Sequence, residues 1–212
     1  MTPPPSLFRP YLLMVVFSLV CLSGIGFLFW YEDMQYARPT PRPASLVQLP
    51  VGSALRLEAA GKMPGGKPLL LHFFNPSCPC SRFNRGHLRE LYAQFGPKVD
   101  MVVVLQAKDT LEAIRKYRDW ELPMPYVTDP AGTLAERCGV YATPQAVLLS
   151  PDARLYYRGN YNTGRYCVNR DTQFARRALE ALLADQPAPL FPGVAQTAYG
   201  CLLPAFEEDS GQ

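Results

Sequence analysis

The residues most able to do chemistry stand in "HFFNPSCPC", where Cys78 and Cys80 flank a single proline between an apolar run and a helix-like segment. Two thiols this close suit a redox pair, a metal clip or a structural disulfide. Cα atoms two residues apart can reach the ~4.4–6.8 Å that a disulfide needs, although so small a ring is strained. Pro79 restricts φ between the two sulfurs and can hold their geometry. Four further cysteines, Cys21, Cys138, Cys167 and Cys201, and only two histidines, His72 and His87, complete the set of thiol and imidazole groups.

The elements that must position these groups follow from periodicity. "KPLLLHFFN" (67–75) and "VDMVVVLQ" (99–106) are near-continuous apolar runs, the pattern of strands buried on both faces. Residues 81–95 carry Phe83, Leu88, Leu91, Tyr92 and Phe95 near helical spacing and stop at Gly96-Pro97. A second helix is predicted over 109–120 behind an Asp109 cap, and a short one over 130–139 with Pro130 in its first turn. Residues 144–159 read as a hairpin around Ser150-Pro151-Asp152, and 171–185 as a closing amphipathic helix capped by Asp171. Alternating strands and helices with buried strands predict an α/β domain with a mixed central sheet flanked by helices.

Composition bounds the rest. The chain has 212 residues, 48% of them hydrophobic, enough for one ordinary domain with extensions. A net charge of +3 with no basic stripe argues against nucleic acid. "YLLMVVFSLVCLSGIGFLFW" (11–30) is uncharged and long enough, at ~1.5 Å per residue, to cross a bilayer. Tyr11, Trp30 and Tyr31 suit the interfaces, and the bulky aromatic exit argues against signal-peptide cleavage. The predicted division is therefore a cytoplasmic terminus (1–10), a transmembrane anchor (11–31), a proline-rich linker (32–50), the domain (51–185) and a proline-rich tail (186–212). Lys and Arg counts hardly decide the orientation, but five cysteines beyond the anchor favour an oxidising compartment. In a bacterium that means a single-pass inner-membrane protein with its domain in the periplasm.

"HFFNPSCPC" resembles the strand-to-helix turn of the thioredoxin fold, and "GVYATPQAVLL" its cis-proline loop, written here as Thr143-Pro144. The two motifs lie about 65 residues apart, in the order the fold requires, and the resemblance covers roughly residues 45–185. It is strongest to the membrane-tethered thioredoxin-like and redoxin proteins of bacterial envelopes. That resemblance implies a thioredoxin fold and a thiol-disulfide oxidoreductase acting on protein disulfides, recharged by a membrane or periplasmic redox partner, with no cofactor and no metal. It implies Cys78 as the attacking thiolate, favoured by the helix start and by Arg82 and Arg85 one turn on. It implies Thr143 and Pro144 as the platform where a substrate strand pairs.

Two departures stand out. The family pattern is Cys-x-x-Cys, but Ser81 occupies the resolving position here and Cys80 stands one residue closer, so Cys80 is expected to resolve. His72 replaces the family's buried acid, where a histidine can relay a proton or simply fill the core. His87 reads as a helix-surface residue and Cys138 as a buried free thiol. Some redoxin-like proteins end in a similar Gly-Cys segment, and a structural Cys167–Cys201 disulfide would close a loop of about 35 residues. The rival reading is a shuttle in which one of these two attacks the Cys78 centre. Other functions remain open: a Cu(I) metallochaperone, disfavoured because no histidine follows His87; a peroxiredoxin-like peroxidase, disfavoured because Pro-x-x-x-Thr-x-x-Cys is missing; and a merely structural bond.

Overall fold

A computed structural model describes residues 8–55, 57, 66–163 and 169–207. The chain forms two units, Met1–Arg38 and Pro39–Gln212. The first is built on helix α1 (Phe8–Ala37), of which Pro10–Glu32 has a mean hydropathy of 2.6. Its large apolar side chains, Phe17, Leu22 and Phe29 among them, are exposed within the unit.

In the second unit the elements are β1 (Leu69–Phe74), α2 (Pro79–Phe83), α3 (Arg85–Phe95), β2 (Asp100–Leu105), α4 (Thr110–Asp119), β3 (Tyr126–Thr128) and α5 (Thr133–Cys138). They continue with β4 (Ala142–Thr143), β5 (Gln145–Leu149), β6 (Leu155–Gly159), α6 (Phe174–Leu183) and β7 (Cys201–Leu202). The main sheet has the order β3-β2-β1-β5-β6, and a two-stranded sheet joins β4 to β7. Central β1 runs parallel to β2, with Leu71 opposite Val102, and antiparallel to β5, with Leu71 opposite Val147. Every residue of β1 is buried, as its unbroken apolar run predicts. Alternation divides them: Leu70 and Phe74 pack with Leu88, Leu91, Leu148 and Phe174, while Leu69, Leu71 and Phe73 pack with Leu134, Val147, Leu149 and Leu203.

Several boundaries differ from expectation for local reasons. The single helix expected over 81–95 is two, divided at Asn84. Asp109 does cap its helix, accepting from the Glu112 N–H at 2.9 Å. Pro130 lies outside α5; the carboxylate of Asp129 instead accepts from the N–H groups of Leu134 and Ala135. Asp171 falls in a 3-10 turn (Arg170–Thr172), and α6 begins only at Phe174. The proline-rich flanks also belong to the packed unit. Leu46 before the domain, and Ala198, Leu203 and Phe206 after it, are buried in the same core as β1. Each fully buried leucine contributes ~1.5–3 kcal/mol, so residues 39–50 and 186–207 are held down rather than left as free spacers.

Candidate active site: Cys78, Thr143 and the returning tail

Cys78 is the N-cap of α2, with extended backbone (φ −78°, ψ 124°), and Pro79 takes the first helical position, where no N–H is needed. The Asn75 side chain shapes the approach by accepting from the Ser77 N–H at 2.9 Å. Lys116 Nζ donates to Ser77 Oγ at 3.2 Å on the same rim, its charge paired with the Glu112 carboxylate at 2.7 Å. Arg82 is exposed and Arg85 half-buried one turn along.

Behind Cys78, the Thr143–Pro144 peptide bond is cis, as the motif predicts. Thr143 is fully buried and its hydroxyl is fully used: it donates to Phe73 C=O at 3.1 Å and accepts from the Asn75 N–H at 3.3 Å. Its remaining lone pair faces Ser81 Oγ at 3.1 Å. Ser81 therefore links α2 to the cis-proline loop. The carbonyl oxygen of Thr143 lies 3.8 Å from Cys78 Sγ.

The sulfur chemistry differs from expectation. Cys78 is joined to Cys201, 123 residues away, with Cα atoms 6.1 Å apart. Cys80 keeps its thiol, 4% exposed. Residues two apart at a helix start are turned by roughly 200° about its axis, which aims Cys80 inward while Cys78 faces the cis-proline loop. The expected Cys167–Cys201 bond is likewise replaced, because Cys201 is committed to Cys78; Cys167 lies outside the described residues.

The tail reaches this position as a strand. β7 pairs antiparallel with β4, Thr143 opposite Cys201 and Ala142 opposite Leu202. The Leu203 N–H donates to Tyr141 C=O at 2.8 Å, and Thr40 binds the other edge through N–H to Ala198 C=O (2.8 Å) and Oγ1–H to Gly200 C=O (3.0 Å). Upstream, Asn160 fastens the returning chain. Its Nδ2 donates to Val194 and Thr197 carbonyls at 2.8 and 2.6 Å, and its N–H to Ala195 C=O at 2.8 Å. No sequence signal singles out Asn160; the Gly200-Cys201 pair was the visible trace of the tail.

His72 takes the core position that was one of its two expected roles, and His87 departs from expectation. His72 is 1% exposed, with Nδ1 at 2.9 Å from Tyr161 OH. Burial first and the neighbouring His87 second push its pKa down to about 3, far from that of a neutral-pH proton acceptor. His87 is buried rather than on the helix surface, its ring edge-on to Tyr161 at 5.9 Å. Burial, with Arg176 adding to it, lowers its pKa to about 4. Cys138 is buried as expected, and burial pushes its thiol up to about 12. Among the described residues, no three His, Cys, Asp or Glu side chains gather at a site able to hold a metal ion.

A mixed sheet of this order, with a cysteine at the first helix start facing a cis-proline loop, defines a thiol-disulfide oxidoreductase of the thioredoxin-like superfamily. More narrowly, residues 51–203 match the family described as a domain of unknown function, DUF6436, and the chain belongs to that family. Among curated proteins it is similar to thiol-disulfide oxidoreductase ResA of Bacillus cereus, 26% identical over 68% of this chain and 84% of the relative. ResA of Bacillus thuringiensis is 24% identical, over 66% and 82%. A solved hypothetical protein of Sinorhizobium meliloti has the same fold, with a TM-score of 0.61 at 19% identity over 74% of this chain and 96% of its own.

Proposed function

We propose that this chain is a membrane-anchored oxidoreductase acting on protein disulfides outside the cytoplasm, and that its working couple is Cys78–Cys201. The observation that carries the reading is the bond itself: Cys201 is delivered to the attacking cysteine by a strand paired to the cis-proline loop. As a reductant, the Cys78 thiolate attacks one sulfur of a substrate disulfide, forming a mixed disulfide and releasing the other substrate sulfur as a thiolate, which takes up a proton. The Cys201 thiolate then attacks Cys78 Sγ as its strand takes the edge the substrate leaves. The Cys78–Cys201 bond forms, the second substrate thiol departs, and two electrons have passed to the substrate. Run in reverse, the same steps oxidise a dithiol. The apolar helix found among the described residues and the five cysteines beyond it support an anchored domain in the periplasm.

Thiol trapping of the full chain in glutathione buffers, followed by peptide mass mapping, tests the couple. The oxidised form is expected to carry Cys78–Cys201 in the wild type and in Cys80→Ser, and Cys201→Ser is expected to form no bond with the same midpoint. A Cys78–Cys80 bond in the wild type would overturn this assignment. Absence of any titratable couple would overturn the oxidoreductase reading itself.

A further inference from the structure

The tail does more than deliver a sulfur: it lies as an extended segment along the cis-proline strand edge. Its contacts there are of two kinds. The ladder at Thr143↔Cys201 and Ala142↔Leu202, continued by Leu203 N–H to Tyr141 C=O, is made by backbone and accepts any sequence. The side-chain demands are narrow. Gly200, immediately before the cysteine, has φ +138°, and a Cβ there would collide with the carbonyl oxygen of Thr143. On the other side of the cysteine, Leu203 is fully buried, and Leu202 packs against the same core.

We propose that this edge is a selective groove for an extended Gly-Cys-apolar segment of a partner protein, and that residues 199–203 are the chain's own copy of that ligand, closing the groove in the oxidised state. The inference rests on the oxidoreductase reading. It adds which disulfides are read: those whose cysteine follows glycine and precedes apolar residues, because a side chain before the cysteine meets the Thr143 carbonyl. It also explains how the oxidised protein excludes further partners, since the tail and a partner segment occupy the same backbone positions. Reduction of Cys78–Cys201 breaks the covalent hold on the tail and lets the two exchange.

The test uses reduced, full-length Cys201→Ser protein and two synthetic heptapeptides. One has the sequence of residues 198–204, and the other has alanine in place of its glycine. Each carries its cysteine as a mixed disulfide with thionitrobenzoate. The Cys78 thiolate attacks the peptide sulfur, the Cys78–peptide bond forms, and thionitrobenzoate leaves with the electron pair as a coloured thiolate. The glycine peptide is expected to react about tenfold faster or more, since a Cβ at that position meets the carbonyl oxygen of Thr143. Both peptides share whatever fraction of open groove exists, so their ratio reads selectivity alone. Equal rates, with brisk reaction of a small symmetric aromatic disulfide, would overturn the groove and leave the oxidoreductase reading standing. No reaction of Cys78 with any of the three would overturn both. Adding Leu203→Ala to the same protein is expected to raise the glycine-peptide rate by freeing the edge. An unchanged rate, with Trp120 emission showing a folded core, would overturn the self-closure.

Discussion

Cutting the Cys78–Cys201 bond should cost far more stability than loss of an ordinary surface contact. The cross-link joins residues 123 apart. By the chain-entropy relation, a loop of that length removes about 5 kcal/mol of disorder from the unfolded chain. With no partner segment to compete for the edge, the native state should have little freedom to regain on reduction, because the packing of Ala198, Leu203 and Phe206 and the Asn160 hydrogen bonds do not depend on the sulfur bond. Most of the 5 kcal/mol should therefore appear as lost stability. Urea unfolding followed by Trp120 emission measures it, since that indole stands edge-on to the core ring of Phe74 with centroids 4.7 Å apart. With a slope of ~2 kcal/mol per molar urea, the midpoint of dithiothreitol-treated protein should fall by about 2 M relative to the oxidised form. Cys201→Ser should fall with it. A loss under about 1 kcal/mol would refute the reasoning. It would mean that the reduced native state relaxes on release of the tail, so that the bond stores constraint instead of recording a preformed docking.

The buried histidines predict acid sensitivity. Both folded pKa values, about 3 for His72 and about 4 for His87, lie below the unfolded value of 6.5. As pH falls through that value, the unfolded chain binds two protons that the folded one refuses. Stability is thus full above pH 6.5 and is lost below it, on the order of 4 kcal/mol by pH 5; an unchanged urea midpoint between pH 7 and 5 would contradict this. Cys138, with its thiol pushed up to about 12, should escape iodoacetamide in the reduced native protein and label only in urea, as peptide mapping would show. Asn160→Ala removes two donors from the tail clamp and should cost ~2 kcal/mol. The same change should lower the fraction of Cys78–Cys201 at a fixed glutathione ratio, read by thiol trapping.

The sequence by itself determined the architecture and singled out Cys78. Short apolar runs bounded by turn residues fit strands covered on both faces, whereas the much longer run at 11–30 fits a helix, and this placed β1 and β2 at the centre of a helix-flanked sheet. Cys78 after β1 and Thr143-Pro144 before β5 are local motifs, legible because each depends on its immediate neighbours. The tertiary structure decided which sulfur answers Cys78. Spacing made Cys80 the natural partner, but a helix turns successive side chains away from one another, and residues far along the chain can be nearest in space. Only the path of the tail, clamped by Asn160, bordered by Thr40 and paired to Ala142 and Thr143, brings Cys201 to the site. The same holds for His72 and His87. Their types suggested proton chemistry and surface exposure, whereas their burial around Tyr161, a property of packing, keeps both neutral.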